Sequence, residues 1–150
     1  MSARPEEHPA AGVKPTKPPS RIVARWAGDQ RFDAGRPDGV TLRFDGRGET
    51  GQSPVDGVLS ALAACAAIDV VDILAKRRTP IESLEVAATG ERAVGPPARI
   101  TRILLHFRLR GAGIERLHVE RAVELSLTKY CSVRATLDPA MPVDWVVEIE

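Results

Sequence analysis

The stretch Ser53–Arg78, SPVDGVLSALAACAAIDVVDILAKRR, constrains this chain more than any other. Ser53 suits an N-cap, Pro54 fits the first helical position where no amide donor is needed, and Asp56 completes a Ser-x-x-Asp capping pattern. At the other end Lys76, Arg77 and Arg78 place positive charge beside unpaired carbonyls, and Thr79-Pro80 forbids continuation. Between these ends the residues from Val58 to Leu74 are apolar nearly all round, which no helix lying on a surface can be, so the spacing predicts a central helix enclosed by other elements. Asp69 and Asp72 inside the run, and alanine in place of leucine, argue against a bilayer span. Alanines at 61, 63, 64, 66 and 67 surround Cys65 with short side chains, so neighbouring backbone can approach it closely and a restricted pocket is expected there.

Composition sets the frame around that helix. With 150 residues, 43% of them hydrophobic and 27% charged, the chain can bury one core, and a single domain over residues 21–150 is expected. Residues 1–20 carry prolines at 5, 9, 15, 18 and 19 with almost nothing to bury, and read as a disordered tail. A formal net charge of +1 gives no field to recruit nucleic acid or an anionic membrane, so neither is expected as a partner. Two cysteines and no opening apolar run with a cleavage site predict reduced thiols in the cytoplasm. Only 4% of the residues are aromatic, so the core must be aliphatic.

Along the chain, Arg21–Trp26, a strand beginning at Gln30–Asp33, and Val40–Asp45 read as a three-stranded antiparallel meander with turns at Gly28-Asp29 and Arg36–Gly39. The glycine-rich loop Gly46–Gln52 leads into the helix. Ser83–Val94 and Arg99–Arg110 alternate as strands across the turn Gly95-Pro96-Pro97, and Ile100, Ile103, Leu105, Phe107 and Leu109 supply the buried face of the second. Ile114–Tyr130 shifts to helical spacing, Cys131 falls where that helix ends or bends, Ser132–Leu137 is a short helical turn, and Val143–Ile149 is a closing strand. The order is an α+β arrangement with no repeated βαβ unit.

Cys65 and Cys131 are the only thiols, one on each helical segment. One reading makes them two buried structural cysteines. The other makes them a peroxide-reducing pair, in which one thiolate takes an oxygen and becomes a sulfenic acid and the other thiol closes a disulfide. The second reading needs a depressed thiol pKa. Cys65 lies beyond reach of the helix dipole and Asp69 opposes its ionisation, so a cation from Arg25, Arg31, Arg36 or Arg92 is required, while Cys131 would gain free amides if it opens a new helical turn. Asp69 and Asp72 need partners of their own, expected to be an arginine across a packed surface. No Cys-x-x-Cys or His-x-x-x-His pattern accompanies His8, His106 or His118, so no metal is expected, and the glycine loop lacks the Gly-Lys-Ser/Thr ending of a phosphate loop, so no nucleotide or other cofactor is expected.

The segments QSPVDGVLSALAACAAIDVVDILAKR, ERAVGPPARITRILLHFRL and AVELSLTKYCSVRATL resemble the OsmC/Ohr family of osmotically inducible and organic hydroperoxide resistance proteins, closest to its YhfA-like branch, over about Ile22–Ile149. The patterns S-P-x-[DE]…C-x-x-I-D-V-V and K-Y-C-S-V carry the likeness. It implies an OsmC-like fold, with antiparallel sheets around a long central helix, intertwined as a homodimer. It also implies a thiol-dependent, peroxiredoxin-type activity of the oxidative stress response on organic hydroperoxides, with Cys65 as the peroxidatic cysteine and Cys131 as the resolving one. Arg31 lies nearest the family's activating arginine, and the implied reductant is a lipoylated protein or a thioredoxin-like dithiol. Val55 stands where the hydroperoxide-resistance branch has a glutamate. That favours a rival reading, a non-enzymatic protein that binds a small apolar ligand in the same dimer-interface pocket.

Overall fold

The structure, a computed structural model, describes residues 17–150; most of the expected tail, 1–20, lies outside the described residues. The chain opens with the antiparallel meander the sequence predicts, β1 (Val23–Trp26), β2 (Arg31–Gly35) and β3 (Thr41–Asp45). Gly28 and Asp29 turn the first hairpin with φ of 95° and 47°, the left-handed region that glycine enters freely and aspartate tolerates. The register aligns Trp26 with Phe32 and Phe44, and Ala24 with Ala34 and Leu42, so side-chain alternation gathers these residues on one face. Arg25, Arg31, Asp33, Arg43 and Asp45 occupy the other. Within the chain the apolar face stays largely open, with Trp26 69% and Leu42 68% exposed.

Asp45 organises the loop that feeds the central helix. Its carboxylate accepts the amides of Arg47 at 2.9 Å and Thr50 at 3.0 Å and the Thr50 hydroxyl at 2.8 Å. These donors, the Arg47 amide foremost, hold its pKa down at about 2. Helix α1 (Pro54–Lys76) then starts as its sequence dictates, with Ser53 Oγ accepting the Asp56 amide at 3.2 Å and Pro54 in the first turn. It ends at Arg78, whose φ of 63° breaks the repeat before Pro80.

Only one stripe of α1 is buried in the chain: Leu62, Ala66, Val70 and Leu74, all at 0% exposure. Ala61, Ala64, Ile68, Val71 and Ala75 are exposed, and at 3.6 residues per turn they lie roughly half a turn away. The expected enclosure on all sides is therefore not met within a single chain, because one sheet and the helical segments that follow it cover one side only. By length and hydropathy α1 qualifies as a membrane-crossing helix, but its buried stripe belongs to the core of a folded domain together with residues from β5 and α2.

The second sheet holds β4 (Ser83–Arg92), β5 (Ile100–Arg110) and β6 (Val143–Ile149), in that order. Ile103, Leu105, Phe107 and Leu109 of β5 point inward as the alternation predicts, while Arg102–Asp144, His106–Glu148 and Arg110–Glu82 pair across the outer face. The strands β1 to β5 pair antiparallel as expected, whereas β6 lies parallel to β5. The chain between them crosses over through helices and re-enters the sheet from the same end, which antiparallel neighbours do not require. That crossover contains α2 (Arg116–Leu125), a π turn (Ser126–Tyr130) and α3 (Ser132–Thr136). The single helix expected over Ile114–Tyr130 is thus α-helical only to Leu125, and its last turn is wound wider.

Gly57 lets the first turn of α1 rest on the meander, since a Cβ at this position would overlap the Phe44 ring of β3. Alanine in a helix ordinarily gains about 1 kcal/mol over glycine. Here Gly57→Ala is expected to lower the melting temperature, because the ring must move, and Gly57→Ala combined with Phe44→Leu is expected to recover part of the loss. A melting temperature raised by Gly57→Ala alone would show that the contact yields freely.

Candidate functional site

The structure brings the two thiols together and gives them different surroundings. Cys65 sits on α1, half-buried at the edge of the core, and Cys131 is 3% exposed between the π turn and α3; both are free. α1 packs against both of these segments. Cys131 opens α3 with an extended backbone, φ −70° and ψ 103°, and its Sγ accepts the Arg134 amide at 3.4 Å. The free amides expected at Cys131 are therefore present.

The π turn decides where Cys131 lies. The Cys131 amide donates to the Ser126 carbonyl, five residues back, at 2.8 Å. Ser126 itself is at 0% exposure, and its hydroxyl donates to Asp69 Oδ2 at 2.7 Å. Asp69 thus finds a serine hydroxyl rather than the expected arginine, and Asp72 is exposed and needs no buried partner. A hydroxyl suffices for Asp69 because the carboxylate is only partly buried.

Competing effects act on the Cys131 thiol. Burial raises its pKa, the Arg134 amide lowers it, the adjacent Cys65 side chain raises it, and the Val133 amide lowers it; the result is about 11, against 9.0 for an ordinary thiol. Burial outweighs the amides, so Cys131 keeps its proton at neutral pH and is a poor first nucleophile. Cys65 has the more open position of the two.

Arg31 belongs to the meander. It lies at the start of β2, on the charged face of the meander, where its guanidinium pairs with Asp29 at 2.7 Å and its charge acts on Asp45. Of the other cations considered, Arg25 is exposed on β1, Arg36 is in the β2–β3 turn, and Arg92 donates to the Ala98 carbonyl. None of these arginine side chains is among the groups that shift Cys131.

Two residues that sequence reasoning passed over complete the site. Ser126 is a polar residue inside an apolar helical pattern, which was a usable signal. Arg134 reads as an ordinary surface arginine, yet its guanidinium donates to the carbonyls of Asp138 and Met141, both at 3.2 Å, and fixes the connection from α3 to β6. A cleft of about 180 Å³ beside Cys131 is lined by Leu127, Lys129, Arg134, Leu137 and Pro139 among others. A larger groove of about 590 Å³ runs between α1 and α2, bounded at one end by Asp69 and Tyr130 and at the other by Lys76, Arg77 and His118. Among the described residues no cluster of three or more His, Cys, Asp or Glu has a geometry to hold a metal.

Comparison with known proteins places these features in context. Residues 46–146 match the family model described as OsmC-like protein. Protein YhfA of Escherichia coli K12 is 37% identical over 126 residues, covering 83% of this chain and 94% of that protein. An OsmC-like protein from Mycoplasma pneumoniae superposes with a TM-score of 0.76 at 18% identity, over 89% of this chain and 99% of its own. The organic hydroperoxide resistance protein OhrB of Bacillus subtilis superposes with a TM-score of 0.56, also at 18% identity, over 87% and 96% of the two chains. At these identities the two structures show a shared fold.

The raised Cys131 pKa has a consequence for stability. A thiol that resists ionisation when folded adds stability that is present below the unfolded pKa, 9.0, and is lost as pH rises toward about 11. The melting temperature of the reduced protein is therefore expected to fall over that window, and Cys131→Ala is expected to flatten this part of the profile. An unchanged slope in the variant would place the loss elsewhere.

Proposed function

The chain belongs to the OsmC-like protein family, and from that premise we propose that it is a thiol-dependent peroxidase of organic hydroperoxides, acting through Cys65 and Cys131. The observation that carries this reading is the pairing of a half-buried thiol on α1 with a buried neighbouring thiol at the start of α3. The Cys65 thiolate attacks the terminal oxygen of the hydroperoxide, the O–O bond breaks, and the alkoxide takes up a proton and leaves as the alcohol. Cys65 is left as a sulfenic acid. Cys131 then forms the S–S bond, the sulfenic oxygen departs as water, and an external dithiol, from a lipoylated or thioredoxin-like protein, reduces the disulfide. No cofactor takes part, and the reducing cytoplasm is the proposed compartment.

The same reading includes a homodimer. OsmC-like proteins are commonly dimeric, and this chain leaves two apolar surfaces open, the Ala64–Ile68–Val71 side of α1 and the Trp26–Phe32–Leu42 face of the meander. A second copy is the partner that covers both. Arg31 stays the proposed stabiliser of the Cys65 thiolate, reaching it from the second copy.

Cys65→Ser is expected to abolish hydroperoxide consumption, whereas Cys131→Ser is expected to complete one turnover and accumulate sulfenic acid at Cys65, read by dimedone labelling and mass spectrometry. One equivalent of cumene hydroperoxide is expected to convert the wild-type protein to the intramolecular Cys65–Cys131 disulfide. Unconsumed peroxide with both thiols free would sink the peroxidase reading in favour of apolar-ligand binding. For the dimer, Ile68→Asp is expected to give a folded monomer by sedimentation, because a charge placed in an apolar interface costs several kcal/mol. Leu62→Asp is expected to give no soluble protein. A wild-type chain that sediments as a monomer overturns the assembly.

A further inference from the structure

Ser126 is tied to both members of the thiol pair. Through its side chain it holds Asp69, which lies one turn beyond Cys65 on the same side of α1, at 2.7 Å. Through its carbonyl it accepts the amide of Cys131 at 2.8 Å, the bond that closes the π turn. Serine and threonine inside a helix more often donate to the carbonyl four residues back, and Thr128 does so here, to Glu124 at 2.7 Å. Ser126 points across to α1 instead and is fully buried in doing so.

A π turn is a rare winding, most often found as a single turn at a functional site. Unwound to ordinary α-helical spacing, the segment would carry Cys131 about 100° around the helix axis, off the side that faces α1. Something must hold the wider turn in place, and the Asp69–Ser126 hydrogen bond joins it to the helix bearing Cys65. We propose that Asp69 and Ser126 are positioning residues, a clamp that holds the π turn and thereby sets the reach of the Cys131 sulfur to the Cys65 sulfur.

This rests on the reading of Cys65 and Cys131 as a redox pair. The step it governs is closure: the Cys131 sulfur bonds to the Cys65 sulfur, the S–O bond of the sulfenic acid breaks, and the hydroxyl leaves as water with the Cys131 proton. Closure needs in-line approach of one sulfur to the other, so a small displacement of Cys131 slows it while leaving the first attack by Cys65 unaffected.

Two measurements on the full chain test the clamp in Ser126→Ala, Asp69→Ala and Asp69→Asn. In single-turnover reactions with cumene hydroperoxide, Ser126→Ala is expected to form the sulfenic acid within about threefold of the wild-type rate, and both Ser126→Ala and Asp69→Ala are expected to close the disulfide, once the sulfenic acid is formed, at least about tenfold more slowly. In glutathione redox buffers their dithiol–disulfide equilibrium is expected to shift about tenfold toward the dithiol, about 30 mV for a two-electron couple. Asp69→Asn keeps an oxygen that accepts the Ser126 hydroxyl and is expected to behave as wild type in closure and in potential. A residue that merely supports the fold would lower the melting temperature without moving the potential.

The clamp is overturned if Ser126→Ala shows wild-type closure and potential, if Asp69→Asn is as impaired as Asp69→Ala, or if the wild type forms no intramolecular disulfide at any glutathione ratio. Should Ser126→Ala not fold, the two Asp69 variants decide by the same criteria. The glutathione equilibrium uses no peroxide, so a wild-type protein that leaves hydroperoxide intact strikes the peroxidase reading alone and leaves the clamp to be judged by its potential.

Discussion

Leu62, Ala66, Val70 and Leu74 make one side of α1 part of the core, and the domain hangs on that contact. Each fully buried leucine or valine contributes roughly 1.5–3 kcal/mol relative to exposure, and the alanine between them lets the packed elements come close. The stripe meets the inward residues of β5 and the Val119, Ala122 and Val123 side of α2. This contact also fixes the rotation of α1 about its own axis. Once Leu62 and Ala66 face inward, Cys65 must stand at the edge of the core, half-open, and Asp69 must stand one turn further on where the π turn can reach it.

Cys65 and Cys131 show how surroundings separate two chemically identical groups. Cys131 has backbone amides aimed at its sulfur, which alone would favour the thiolate, but it is nearly sealed from water and lies beside another sulfur, and those effects win. Burial therefore opposes ionisation of Cys131 despite the amides aimed at it. The same burial shields Cys131 from oxidants in solution.

Much of this was legible in the chain itself. The caps of α1 are local hydrogen-bonding rules written in Ser53, Pro54 and Asp56, and the alternation of β5 is a local pattern that needs only one buried face, so both were read at their true positions. What escaped reading depends on contacts between distant residues. The π turn looks helical in sequence, because Leu125, Leu127 and Tyr130 keep nearly helical spacing and only Asp69, 57 residues away, gives Ser126 a reason to be where it is. The parallel placement of β6 follows from the path of the crossover, and an isolated strand pattern carries no direction. The all-round apolar character of α1 reads as a demand for cover, which its own chain meets on one side only, and a sequence does not say where such cover comes from.

The parallel pairing of β5 with β6 bears on the order in which this molecule assembles. Ile103 and Val143 are paired neighbours in the sheet yet forty residues apart in the chain, so the loop between them must be closed before the pairing returns any stabilisation, and such long-range pairings are slow. The meander and the β4–β5 hairpin join strands close in sequence and can form early. Cys131 lies inside the late-closing segment, with Arg134 binding the connection just ahead of β6. The seat of Cys131 beside Cys65 thus rests on contacts between segments far apart in the chain, Ser126 with Asp69 among them, and not on any local pattern around either cysteine.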